Sequence, residues 1–237
     1  GPTGLLNIVM GGEDLRDDQK QDFVMYLWLE GGWGGRPNRK DNATAMTTFA
    51  PTATNQPIEL QERLYPVMFD CYRLETDSAG AGWSRGGLGV TRRWSFTHGD
   101  VLLSDLGDGE KFGPWGHAGG RDAIPNRFLC APGTEEEINI GMFQTNLKVK
   151  KGQMLHCFQP GGGGYGDPLT RRISHVLEDV REGLVSIEGA ERDYGVVLVE
   201  DPTTGDLGVD EGGTGALREG HPEGPEFPEF EDGNEAS

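Results

Sequence analysis

Two side chains set among glycines, and one glycine run, are the parts of this chain whose residue types could do chemistry. Arg85 lies in Trp83-Ser84-Arg85-Gly86-Gly87. There a guanidinium and neighbouring backbone N–H groups could bind an anion; an Arg that bridges two loops is the alternative. His117 lies in Trp115-Gly116-His117-Ala118-Gly119, a Gly-flanked loop beside Trp115 whose side chain could face a pocket. An ordinary loop histidine is the alternative. Asp167 ends Pro160-Gly161-Gly162-Gly163-Gly164-Tyr165-Gly166 in an Asp167-Pro168 turn. Each glycine loses more backbone entropy on folding than any other residue, so four in a row require a reason such as close backbone approach. The run reads as a structured elbow or subunit contact, with a substrate-proximal backbone cradle or a nucleotide loop as alternatives. No Gly-Lys-Ser/Thr follows it, and Pro168 spoils the helix start that would hold a pyrophosphate.

Other chemistries find little support. His98, His117, His156, His175 and His221 form no HxH, HxxxH or HExxH pattern, so no metal site can be assembled from spacing. Ser78 and Ser84 stand in glycine loops without a Gly-x-Ser-x-Gly elbow. Glu59 and Glu62 would share a face if their segment is helical. A general acid/base pair is then conceivable, and a salt-bridged or solvated pair is the plainer reading.

Composition narrows the class. The 237 residues include 39 glycines and carry a net charge of −18. Residues 201–237 hold eleven acids and one cation, Arg218. Binding to nucleic acid is argued against, because phosphate contacts need clustered Lys and Arg, and an anionic membrane surface is argued against on the same ground. Cys71, Cys130 and Cys157 are widely spaced with no CxxC, as expected of buried thiols in a reducing compartment. With no long apolar run and no visible signal peptide, the chain reads as cytoplasmic.

The elements that must position these residues are mostly strands. Apolar runs at 5–10 and 22–29 are followed by a polar connection at 38–57. Strands are expected at 65–74, 90–97, 101–105, 137–140, 145–149, 153–158 and 195–199. His98-Gly99-Asp100 and Lys150-Lys151-Gly152-Gln153 read as hairpin turns. Helical periodicity is confined to residues 173–183, with Ile173, Val176, Leu177 and Val180 on one face, and to a short helix capped by Ser186. The fold class is α+β, β-dominated, with Gly-rich loops and two short C-terminal helices, in residues 1–200. Residues 201–237 read as an acidic disordered tail.

Several segments occur together in one order: Glu30-Gly31-Gly32-Trp33-Gly34, Pro57-Ile58-Glu59, Glu62-Arg63-Leu64-Tyr65-Pro66 and Arg85-Gly86-Gly87-Leu88-Gly89. Pro114-Trp115-Gly116, Gly161 to Pro168, Asp179 to Ser186 and Tyr194-Gly195-Val196-Val197 follow. Over residues 20–200 this series resembles the C-terminal part of the hydantoinase B / 5-oxoprolinase family, which includes acetone and acetophenone carboxylase subunits. The resemblance implies part of a larger multi-subunit assembly. In it ATP and Mg are bound by a hydantoinase A-like subunit, which phosphorylates an amide or enolate oxygen of a small-molecule substrate. The B-type subunit then completes hydrolysis of a cyclic amide (hydantoin, 5-oxoproline or lactam). A ketone carboxylase subunit and a non-catalytic structural subunit are the alternatives. The B-type members of the family are about twice as long, and the divalent metal of the carboxylases belongs to an N-terminal half that this sequence does not contain. The expected partners are therefore the hydantoinase A-like subunit and that N-terminal half, and no cofactor is expected on this chain. Arg85, His117 and Asp167 are the residues expected to line the pocket. In that pocket Arg85 would hold a phosphate or carboxylate, and His117 would shuttle a proton.

Overall fold

The computed structural model describes residues 5–16, 20–41, 56–200 and 205–224. The polar connection at 38–57 therefore lies largely outside the described residues, as do 201–204 and 225–237 of the acidic tail. In chain order the elements begin with β1 (Leu5–Asp14), β2 (Gln21–Glu30), α1 (Ile58–Leu64), β3 (Val67–Glu75), β4 (Gly89–Phe96) and β5 (Val101–Gly107). Next come β6 (Arg127–Cys130), β7 (Ile138–Asn139), β8 (Phe143–Val149) and β9 (Leu155–Gln159). A single 3₁₀ turn at Pro168–Thr170 leads to α2 (Ile173–Arg181), α3 (Ile187–Tyr194), β10 (Leu198–Glu200), β11 (Leu207–Val209) and α4 (Glu211–Leu217).

The first nine strands form two antiparallel sheets, in the orders β2-β1-β5-β8 and β3-β4-β9-β6-β7. Their inner faces share one core. Leu6, Ile8, Met25, Leu27, Leu29 and Leu103 from the first sheet meet Trp94, Phe96, Phe128, Cys130 and Leu155 from the second. Strand alternation creates these faces: Leu6, Ile8 and Met10 are buried while Val9 between them is exposed. Trp94 stacks on Phe128 with centroids 5.9 Å apart, within the range where aromatic pairs add stability beyond their buried area.

Both expected hairpin turns are real turns, but neither joins paired strands. β4 and β5 lie in different sheets, as do β8 and β9. The Lys150 turn closes with Gln153 N donating to Lys150 O, and Gly152 takes φ +78°. Each turn carries the chain from one layer of the sandwich to the other. Local turn chemistry is the same in both cases, and long-range packing selects the layer.

The two expected C-terminal helices are present, and two further short helices, α1 and α4, lie outside the segments of expected helical periodicity. Val176 is fully buried, with Ile173, Leu177 and Val180 packed beside it in a second, smaller core. Ser186 caps α3, its Oγ accepting from Gly189 N at 2.8 Å. Gly195 ends that helix with φ +63°, a left-handed cap that suits glycine. Residues 58–64 are helical, and Glu62 Oε1 accepts from Phe69 N at 2.8 Å. Glu62 thus satisfies a strand N–H beside the bulge at Phe69/Cys71.

The tail expectation needs correction at 205–224. β11 pairs with β10, and α4 begins at a capped Asp210 whose carboxylate accepts from Gly212 N and Gly213 N. Arg218 reaches back to Leu169 O and Arg171 O. Composition disfavoured order here, but strand pairing and these polar anchors to the body supply what a small apolar content does not.

Candidate functional site

Between the sandwich and the helical layer lie four glycine-rich segments, 31–35, 78–89, 113–121 and 160–166, joined backbone to backbone. Gly80 N donates to Gly162 O at 2.8 Å and Gly162 N to Gly87 O at 2.9 Å. Gly35 N donates to Gly163 O at 2.8 Å, and Gly164 N to Arg121 O at 2.9 Å. Ser84 and Tyr165 exchange two bonds, each 3.0 Å. A Cβ at Gly162 would fall 2.0 Å from the Trp33 carbonyl, and one at Gly164 would fall 2.0 Å from Ala81 O. Only glycine lets main chains approach this closely. Gly161 to Gly164 are all buried, and backbone fills the space around them. The run is therefore a packed junction, with no opening into which a nucleotide phosphate fits.

Arg85 sits within this ladder at 3% exposure. Its Nε and Nη2 donate to the two Asp179 oxygens at 3.3 and 3.2 Å, and Nη1 donates to Gly86 O at 2.9 Å. Arg171, wholly buried, donates to Asp179 Oδ2 at 2.8 Å, to Trp83 O at 3.1 Å and to Lys40 O. Burial opposes the Arg85 charge, but Asp179, Tyr194 and Asp41 together outweigh this and hold the guanidinium above its ordinary pKa. The Tyr194 ring lies 6.0 Å beneath the Arg171 guanidinium, and burial pushes its phenol up to about 12. Arg85 is thus not the open anion donor the sequence suggested. With Asp179 and Arg171 it forms a buried charged triad that ties the ladder to α2.

His117 is exposed, and its main chain belongs to the ladder: its N–H donates to Gly164 O and its carbonyl accepts from Gly166 N. The ring lies 5.7 Å from that of Tyr165. Asp167 occupies the same junction, with Oδ1 accepting from Leu169 N at 2.9 Å and Oδ2 paired with His221 Nδ1 at 2.7 Å. Both its oxygens serve local structure. The three expected residues therefore lie on adjoining ladder segments; Arg85 is buried, His117 is exposed, and the Asp167 side chain is 39% exposed although both its oxygens are engaged. Sequence reasoning missed Asp179, Arg171 and His221. Only Asp179 carried a signal, as a carboxylate three residues after Val176 and one before Val180 on the apolar stripe of α2. Among the described residues, no group of three or more His, Cys, Asp or Glu side chains is placed to hold a metal ion.

A family model described as hydantoinase B/oxoprolinase matches residues 2–168. The chain belongs to the hydantoinase B/oxoprolinase family. The matched stretch takes in the sandwich and the whole ladder and ends before α2, so the Asp179 and Tyr194 segments lie beyond it. The chain is 38% identical over 168 residues to the beta subunit of the caprolactamase of Pseudomonas jessenii, covering 69% of this chain and 28% of that protein. It is 34% identical over 182 residues to the B-type subunit of a putative D-/L-hydantoinase of a Pseudomonas species, covering 76% and 30%. With the acetone carboxylase alpha subunit of Xanthobacter autotrophicus the identity is 25% over 251 residues, covering 92% and 32%. The crystal structure of the ATP-dependent caprolactamase from Pseudomonas jessenii superposes with a TM-score of 0.72 at 31% identity, covering 89% of this chain and 36% of that one. An acetone carboxylase structure shares the fold at the same TM-score and 22% identity. The chain spans about a third of the length of the curated relatives it matches.

Proposed function

We propose that this chain is part of the B-type component of an ATP-dependent enzyme that opens a cyclic amide of hydantoin, 5-oxoproline or lactam type. One observation carries the choice of reaction: identity is 34–38% to the hydantoinase and caprolactamase subunits and 25% to the acetone carboxylase subunit. ATP and Mg would be held by a hydantoinase A-like partner, and phosphorylation of the amide oxygen would make it a leaving group. This chain's contribution is positional. The ladder fixes a rigid backbone layer, the Arg85–Asp179–Arg171 triad locks it, and His117 at its exposed edge is the side chain available to carry a proton. Asp167 keeps His221 and the 3₁₀ turn in place beside it.

The outer face of the first sheet supports an assembled state. Val9, Val24, Tyr26, Leu102, Leu106 and Phe143 share that face by register and are all exposed, Phe143 at 74%. A contiguous apolar face of this extent marks a protein–protein contact. It suits cover by the N-terminal B-type half that the family resemblance leads us to expect as a partner.

The test is purification of the native complex through this chain, native mass spectrometry of its subunits, and ATP turnover with a lactam, a hydantoin, or a ketone plus bicarbonate. ADP release coupled to ring opening is expected. ADP release that requires ketone and bicarbonate would overturn the hydrolase reading. A complex whose turnover is unaffected by His117→Gln would remove His117 from proton transfer.

A further inference from the structure

The outer face of the second sheet carries a groove of about 630 Å³, a volume typical of small-molecule sites. Its floor is two adjacent rows of the sheet. In one row Arg73, Thr91, Phe158 and Arg127 stand side by side across β3, β4, β9 and β6. In the next, Arg93 neighbours His156. These side chains are opposite in phase to the buried Trp94, Leu155, Cys157 and Phe128, so they face away from the sandwich core. Ile124, Pro125 and Asn126 also line the groove, as do two carboxylates, the exposed Glu110 and Glu75, whose Oε2 is screened from solvent and has no hydrogen-bond partner among the described residues.

Three guanidiniums and an imidazole on one face are notable in a chain of net charge −18. Their charge is only partly answered from within. Arg73 meets Glu75 at 3.5 Å and Arg93 meets Asp70 at 2.8 Å through Nη2. Arg93 Nε and His156 Nε2 are screened from solvent, and neither has a hydrogen-bond partner among the described residues. Burial, then the Arg93, Arg127 and Arg73 charges, hold His156 below its ordinary pKa, with Glu75 opposing. Buried polar groups without partners are costly; Arg93 Nε–H calls for an acceptor, and His156 Nε2 calls for one in the tautomer or protonated form that carries its proton there. Planar guanidiniums match a carboxylate with two parallel bonds, and Phe158, Ile124 and Pro125 offer apolar contact to a short chain. The two carboxylates would disfavour a dianion such as phosphate and would suit an ammonium.

We infer that this groove binds a small amino carboxylate, with its carboxylate on Arg93, Arg127 and His156 and its ammonium toward Glu110. The inference stands on the groove alone. Its link to catalysis rests on the function proposed above, in its lactam or 5-oxoproline form, since hydrolysis of those rings leaves a carboxylate and an amine on one molecule, whereas a hydantoin leaves a carboxylate and a ureido group.

The probe is δ-aminovalerate, titrated into the full chain by calorimetry and by the NMR signals of the His156 ring. Valerate, valeramide and inorganic phosphate serve as comparisons. Saturable binding of δ-aminovalerate at about millimolar concentration or below is expected, with a shift of the His156 signals. Arg127→Gln, on an exposed edge of the groove, should weaken it about tenfold, the size of one charge-assisted hydrogen bond. Glu110→Gln should weaken δ-aminovalerate and should not weaken valerate, which loses a repulsive neighbour. Unaltered melting temperatures would show that both variants fold. No saturation up to about ten times that concentration, or equal binding of valeramide, would overturn the inference. Equal binding of phosphate would reduce the groove to a general anion site and also overturn it. Saturable binding in a chain whose complex opens no cyclic amide would sink the proposed function and leave the groove standing. The reverse pair of results would sink the groove alone.

Discussion

Replacing Asp179 by Asn tests whether the buried triad holds the ladder. The change keeps the side-chain shape and removes one charge. Two guanidiniums would then face each other across a neutral amide, at sites where the Arg85, Arg171 and Asp179 side chains are 4%, 0% and 4% exposed. Each pair, at a separation of about 3 Å, has a gross Coulomb attraction of about 5 kcal/mol at an effective dielectric of about 20. Desolvation of the ions in the native protein offsets part of this, and Asp41, 3.7 Å from Arg85 and more exposed, offsets a little more. The net loss expected from breaking such a pair is about 3–5 kcal/mol. For a chain of this size that lowers the melting temperature by about 10 °C. Thermal unfolding followed by far-UV circular dichroism reads the total, with little dependence on salt because the charges are buried. Amide hydrogen exchange reads the location. Ser84 N and Gly86 N, in the ladder segment that Arg171 and Arg85 grip, should lose protection first, while β1 and β4 keep theirs. A variant that melts within about 2 °C of the parent, a shift worth less than about 1 kcal/mol, or that loosens the sandwich before the ladder, would refute this account of what fixes the glycine segments.

Asp105 is buried, its two oxygens lack hydrogen-bond partners, and burial together with nearby Glu110 lifts its pKa from 3.8 to about 7. The folded state then keeps a proton that the unfolded chain releases, so stability is full below about pH 4 and declines as pH rises through about 7. At about 1.4 kcal/mol per unit the upper bound on this loss is about 4 kcal/mol. Asp105→Asn should flatten the dependence and be more stable than the parent at pH 8, as read by urea midpoints. Two glycines give opposite outcomes. Gly164→Ala places a Cβ 2.0 Å from Ala81 O and should cost more than about 2 kcal/mol or prevent folding, whereas Gly215→Ala in α4 meets nothing within 4 Å and should gain about 0.5–1 kcal/mol.

What could be read in the sequence follows the range of the forces involved. The α2 stripe and the Ser186 cap are local devices, set by residues three and four apart, and they were legible. The turns at His98 and Lys150 were legible as turns, yet the layer reached by the next strand depends on which inner face buries Leu103 or Leu155. No residue near the turn encodes that. The glycine run announced a close approach but not its partners, because backbone hydrogen bonds carry no side-chain signature. Arg85 drew attention as a cation among glycines. Its neutralising partner lies 94 residues away, so an anion-binding and an ion-paired arginine look alike until the fold is known. Residues 205–224 failed the composition argument because they need no core of their own: Arg218 and the β10 pairing attach them to one already built.

The same contacts bear on why the segment beyond the family match belongs to the working unit. The ladder's own backbone bonds and short polar anchors, such as Ser84 Oγ accepting from Arg36 N and Ser78 Oγ from Gly89 N, set its register. Its charged anchors come from beyond residue 168. Asp179 grips Arg85, Arg171 holds the Trp83 and Lys40 carbonyls, and His221 pairs with Asp167. Arg218 in turn holds the carbonyl of Arg171. Removing α2 to α4 would strip the Arg85 guanidinium of its main counter-ion and of the Leu184, Val185 and Tyr194 cover beside it, and Asp167 of His221, while the sandwich core would lose none of its buried apolar residues. The glycine ladder and the helical layer are therefore one structural device, and a truncation at the end of the family match should fold its sandwich but lose the geometry around His117.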